Sequence, residues 1–151
     1  MKFAIYARLY TDGTLILSND DYINRWKTLD VDYGNIINNE NYEYKLIDKE
    51  NYEYEMQGDY PGWINDSNKI KYIVINNRII PKTMKYWWCE CINLQQIYNI
   101  ENIDTSNVQD MSGLFWGCEQ LEDINLKNFD TSNVTNIEFM FTCCEKLKYI
   151  V

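Results

Sequence analysis

The sequence predicts a mostly β chain with short helical turns: a leucine-rich-repeat solenoid of parallel strands, in about three repeats, behind an N-terminal β cap. Three observations carry that expectation. One long phrase occurs twice at fixed spacing, its apolar anchors extend backwards along the chain, and the first 66 residues carry paired strand patterns with tight-turn chemistry.

The phrase is Asp104-Thr105-Ser106-Asn107-Val108, then Met111, Leu114, Phe115 and Cys118, followed by Leu121, Ile124 and Leu126. Its second occurrence is Asp130-Thr131-Ser132-Asn133-Val134, then Ile137, Met140, Phe141 and Cys144, followed by Leu147 and Ile150. Every anchor up to Ile124 recurs 26 residues on. Upstream, Met84, Trp87, Trp88 and Cys91 keep the spacing of Met111, Leu114, Phe115 and Cys118 at an offset of 27, as do Leu94 and Ile97 with Leu121 and Ile124. Residues 70–75 fit the L-x-x-I-x-L frame of residues 121–126. Repeats of this length built on spaced Leu and Ile mark solenoids in which one coil is too small to bury its own apolar face.

Strands are therefore expected at 70–75, 94–99, 121–126 and 147–151. In that frame Ile73, Ile97, Ile124 and Ile150 form one interior row, and Trp88, Phe115 and Phe141 form another. The arcs between strands hold apolar residues at Val108, Met111, Leu114, Phe115 and Cys118, a spacing that suits a helical or 3₁₀ turn.

These same residues carry a family likeness. The stretch from Asp104 to Leu147 resembles the BspA-like leucine-rich repeat family of bacterial surface proteins, whose repeat reads roughly N-F-D-T-S-N-V-T-x-M-x-x-M-F-x-x-C-x-x-L. The resemblance is close over 84–151 and looser in two upstream stretches, Ala4–Leu17 and Pro61–Ile75. It implies a cell-surface adhesion or protein-binding module.

Ahead of the repeats, Thr11-Asp12-Gly13 separates two strand-like runs, Lys2–Tyr10 and Thr14–Ser18, and Asp-Gly supplies the positive φ of a hairpin turn. Residues 19–39 are polar, with a loop or short helix around Asp21–Trp26, and Asp30-Val31-Asp32-Tyr33-Gly34 reads as a turn, lacking the remaining acids of a calcium loop. Then Tyr42 and Tyr44 recur as Tyr52 and Tyr54, alternating with other residues so that all four share one face of a second hairpin. Between Glu40 and Asp59 stand seven acids against two lysines. This acidic hairpin is either a lid over the first coil or a contact surface, since Tyr is enriched at interfaces. A lid is required in any case, because a solenoid's first coil exposes its apolar end. The expected division is a cap over 1–66 and repeats over 67–151.

Composition narrows function. Net charge is −9 and histidine is absent. A strongly acidic chain lacks the clustered Lys and Arg that nucleic acid or anionic membrane would need, and suits a basic protein partner. Without imidazole no Ser-His or Cys-His nucleophile pair exists. The six glycines form neither a dinucleotide fingerprint nor a phosphate loop. We expect no enzyme and no catalytic, cofactor or metal residues. Cys91, Cys118 and Cys144 share one repeat position and are expected to be reduced, buried and metal-free, with Cys89 and Cys143 out of register. Thr105-Ser106-Asn107 and its copy are expected to satisfy backbone groups. Only a few apolar residues follow Met1, far short of a signal peptide, so the expected compartment is the cytoplasm, or the cell surface if a leader has been removed.

Binding is expected on the strand face. Residues flanking each buried Ile point away from the core. They form two columns: Tyr72, Gln96, Asp123 and Tyr149, beside Val74, Tyr98, Asn125 and Val151. With Tyr42, Tyr44, Tyr52 and Tyr54 these are the candidate partner-binding residues. The expected role is an acidic binder or inhibitor of a protein partner, of phage or mobile-element type. The alternatives are an adhesin fragment or a nucleic-acid mimic that blocks a nucleic-acid-binding protein. An open edge strand near Val151 offers a second copy a place to pair.

Overall fold

Asp12-Gly13 turns the chain where a positive φ is required, and Gly13 supplies it at 91°. The Asp12 carboxylate accepts from the Thr14 N–H, and the Tyr10 N–H closes onto the Thr14 carbonyl. The computed structural model, which describes residues 5–10, 12–19, 61 and 63–151, places β1 (Tyr6–Leu9) antiparallel to β2 (Thr14–Ser18) across this turn. The first hairpin is therefore as the sequence predicts. The tyrosine hairpin of Tyr42, Tyr44, Tyr52 and Tyr54, the segment around Asp21–Trp26 and the turn at 30–34 lie outside the described residues.

β3 (Tyr72–Ile75) runs parallel to β2, with Leu15 opposite Ile73 and Leu17 opposite Ile75. The Gly13 carbonyl accepts from both Lys71 and Tyr72, which seats the start of β3 on the hairpin turn. β4 (Gln96–Tyr98) pairs parallel to β3, Ile97 opposite Ile73. β5 (Asp123–Ile124) and β6 (Tyr149–Ile150) form a second parallel pair, Ile124 opposite Ile150. Among the described residues, which are mostly β, two short 3₁₀ segments, Ile64–Lys69 and Ile100–Asn102, accompany these strands. No helix of the described residues is long and apolar enough to cross a membrane.

Two corrections follow. The expected single wall of four strands is instead two sheets, ordered β1-β2-β3-β4 and β5-β6, and its first parallel rung is β2. The strands are also shorter than expected. The cause lies in coil length: the corner from Ile79 to Met84 is three residues shorter than its counterpart from Ile103 to Met111. The pairing offset is 24 between β3 and β4, whereas β4 to β5 spans 27. Strands of two or three residues hold so few slanted bonds that this change of step interrupts the ladder. The core does not break with it, since Ile73, Ile97 and Ile124 are all buried in one cluster. Ile150 departs from that row and is 53 % exposed, because among the described residues no further coil packs on it.

Of the expected helical or 3₁₀ turn, the arcs keep the three-residue bonds of the 3₁₀ form without becoming a continuous helix. Each is a run of tight turns in which Trp87, Cys89 and Cys91 donate to the carbonyls three residues back, as do Leu114, Trp116 and Cys118. A helix cannot form because every fourth residue is left-handed: Tyr86 and Glu90 in the first arc, Gly113 and Gly117 in the second, Phe139 and Cys143 in the third. In the first two arcs the turned-out N–H groups reach the next coil instead. Trp88, Phe115 and Phe141 stack through this layer as the spacing predicts, at centroid distances of 5.3 and 5.5 Å. Trp63 closes the near end, donating from its indole to the Trp87 carbonyl and packing edge-on against that ring.

Candidate functional site

Alternation along β3 to β6 decides which candidate residues meet solvent. Gln96, Tyr98, Asp123, Asn125 and Tyr149 are exposed, Tyr98 at 48 % and Tyr149 at 68 %. Tyr72 and Val74 are half-buried. Val74 packs with Tyr10 and Ile16 because β2 lies beside β3 and sets Ile16 opposite it. The exposed columns thus begin at β4. They are polar and aromatic together: the Gln96 side-chain amide donates to the Ile97 carbonyl, while the Asn125 side chain accepts from the Lys127 N–H. Lys148 and Glu122 flank the face 3.9 Å apart, both mostly exposed. Val151 is exposed beside them.

The Asp-Thr-Ser-Asn phrase is a structural latch. One Asp104 oxygen accepts both the Ser106 N–H, at 3.0 Å, and the Ser106 hydroxyl, at 2.6 Å. Asp130 holds Ser132 in the same way, and Asp110 holds Ser112. These bonds pull the Asp104 and Asp130 carboxyls below the usual carboxylate range, Ser106 and Ser132 being the main causes. Between coils, the Thr105 hydroxyl donates to the Asp130 carbonyl and accepts from the Asp130 N–H. Arg78 pairs with Asp104, a contact with no signal in the repeat. A cleft of about 320 Å³ beside them is lined by the Arg78–Asp104 pair, Thr105, Ser106 and Asp130, together with Glu101 and Asn128.

The thiol column is partly as expected. Cys91 and Cys118 are fully buried and Cys144 is half-buried, each as a free thiol. The Cys118 thiol donates to the Trp88 carbonyl and the Cys144 thiol to the Phe115 carbonyl. Burial pushes the Cys91, Cys118 and Cys144 thiols up, and Cys89 to about 11, with Glu90 adding to the last. Cys89 is buried, whereas Cys143 is exposed. The thiolate is the reactive form. Titration of the native chain with a thiol reagent near neutral pH should therefore modify Cys143 first, and Cys89, Cys91 and Cys118 only on unfolding. A fast reaction at Cys91 or Cys118 would contradict the column.

Aromatic residues outside the repeat's own anchors line the outer side of the arcs. Tyr86, Trp116 and Phe139 contact in series, at 6.5 and 5.4 Å between centroids. Their signal in the sequence is Gly113, the gap over which the Tyr86 ring lies.

Residues 80–149 match the family described as Mycoplasma protein of unknown function, DUF285. That family is associated with BspA-like repeats. The match begins inside the first short corner and runs to β6, so it spans the arcs, the latches and the exposed columns from β4 onwards. No curated protein and no solved structure matches the chain.

Proposed function

We propose that the chain is a non-enzymatic protein-binding module, a solenoid of BspA-like leucine-rich repeats over 67–151 with its cap in 1–66. The observation that carries this reading is the face of β4 to β6, where Tyr98 and Tyr149 stand exposed among Gln96, Asp123 and Asn125. Exposed aromatic residues on a repeated surface are costly in water and useful at interfaces. With a net charge of −9, the partner is a protein with a basic patch, which the module binds and inhibits. An adhesin role outside the cell is the second reading, favoured by the association of the matched family with BspA-like repeats.

The test is the double substitution Tyr98→Ser with Tyr149→Ser. Partners recovered by the native chain should be lost, while stability stays within about 1 kcal/mol, as for non-core positions. Unchanged recovery would move the binding face elsewhere, and unfolding would place these tyrosines in the core.

A further inference from the structure

The corners of the coils differ in length, and the difference leaves a place unfilled. From Ile103 to Met111 and from Phe129 to Ile137 the chain takes eight steps, whereas from Ile79 to Met84 it takes five. Ile79 pairs with Ile103 where the corner begins, and the Met84 N–H donates to the Asp110 carbonyl where it ends. Pro81 is buried as Val108 is buried, so Lys82 and Thr83 stand for Gln109 and Asp110. What the first corner lacks is the turn Thr105-Ser106-Asn107 itself.

Between the second and third coils that turn is put to use. The Asn133 side-chain amide donates to the Ser106 carbonyl at 2.6 Å, and the Thr135 N–H donates to the Gln109 carbonyl at 2.8 Å. One coil back, the equivalent donors meet nothing. The Asn107 side-chain amide and the Gln109 N–H make no hydrogen bond among the described residues. Both residues border a cleft of about 610 Å³ lined by Lys82, Thr83, Asn107, Gln109, Asp110 and Thr135. All six are polar, and Asp110 brings a second carboxylate oxygen besides the one that holds Ser112.

This inventory selects an occupant. Burial of apolar surface gives little in such a lining, so hydrogen bonds must hold what enters. The equivalent donors one coil on are matched to main-chain carbonyls, and main chain supplies one C=O and one N–H per residue. We propose that the cleft binds an extended polar segment of another polypeptide, of the Thr-Ser-Asn kind, in the place of the absent turn. Carbonyls of that segment accept from the Asn107 amide and the Gln109 N–H, and one of its N–H groups donates to Asp110. A second copy of the chain cannot supply it, because both of its own turns are held in their coils by Asp104 on Ser106 and Asp130 on Ser132. The unfilled place lies between the first and second coils, apart from the strand face of Tyr98 and Tyr149, and the inference goes beyond that reading without resting on it.

The experiment is an NMR titration of the full chain with an acetylated and amidated peptide of residues 104–108. Saturable shifts are expected at the Asn107 side-chain amide and the Gln109 N–H, whose exchange should slow by about tenfold at saturation. Asn107→Ala removes an amide that bonds to no described residue, and should weaken the peptide by about tenfold. Inserting Thr-Ser-Asn between Ile80 and Pro81 restores the corner and should abolish binding; Asn107→Ala decides the matter even where the insertion prevents folding. The chain carrying Tyr98→Ser and Tyr149→Ser should bind unchanged. Absence of saturable shifts at the two groups overturns the proposal, as does binding that Asn107→Ala leaves unaltered. Equal shifts with glucose at the same concentration would assign the cleft to small hydroxylated molecules and overturn it too. Shifts that grow with chain concentration in the absence of peptide would assign it to a second copy, with the same consequence. Loss of binding with the two tyrosines would place the peptide on the strand face, and the proposal would fall.

Discussion

Replacing Phe115 with Ala should destabilise the chain by about 3–5 kcal/mol, the range for truncating a fully buried aromatic ring. Phe115 has no exposed surface and sits midway in the ring stack, 5.3 Å from Trp88 and 5.5 Å from Phe141, nearly parallel to the latter. Its neighbours cannot collapse into the space. Trp88 and Phe141 belong to different coils, and inter-coil backbone bonds hold each coil at its own level, so most of the cavity would stay open. Phe141→Ala should cost clearly less, since that ring is half-buried already. At roughly 2–4 °C per kcal/mol, the Phe115 variant should melt on the order of 10 °C lower, measurable by circular dichroism. A Phe115 variant no less stable than the Phe141 variant would mean that the stack is not the centre of the core.

The stack was legible because a fixed period exposes it. Any residue type that recurs every 26 or 27 positions must occupy equivalent places, so Trp88, Phe115 and Phe141 line up before any strand is assigned. The same logic found the Cys91, Cys118 and Cys144 column and the pair Ile97 and Ile124, while Ile73, 24 residues before Ile97, joined the row through the L-x-x-I-x-L frame. It overreached at Ile150, where the repeat predicts burial but the side chain is 53 % exposed, no further coil packing on it among the described residues. It also missed β2 as the first parallel rung. Pairing of residues 14–17 with 72–75 joins segments far apart in sequence and outside the repeat, and no local pattern announces it. That single omission explains Val74: the strand that covers it through Ile16 was assigned to the hairpin alone. The left-handed positions were half legible. Glycine marks them at Gly113 and Gly117, whereas Tyr86, Glu90, Phe139 and Cys143 adopt the same conformation with no residue-type signal. There the inter-coil hydrogen bonds override local preference.

Those positions set up the second large effect. Gly113→Ala should cost about 2–4 kcal/mol, from two separable causes. The backbone at Gly113 has φ 62°, which a non-glycine residue occupies at a penalty of about 1 kcal/mol or more. The larger cause is steric: a Cβ at Gly113 would overlap the Tyr86 ring, which lies across it and is held against Trp116. Gly117 separates the two. Its φ is 80°, and a Cβ there would meet the Glu90 carboxylate at 3.1 Å, which can move aside, and the Glu90 Cα at 3.3 Å, which has to give by a few tenths of an ångström. Gly117→Ala should therefore cost clearly less than Gly113→Ala. Phe139 and Cys143 occupy the equivalent left-handed positions one coil on, so the backbone penalty is one this fold already carries. The steric part belongs to a pair and is measured as one. Combining Tyr86→Ser with Gly113→Ala should recover about 1–2 kcal/mol relative to the sum of the single variants, as for residues in direct contact. Strict additivity in that cycle, measured by denaturant unfolding, would show that the ring does not lie over Gly113.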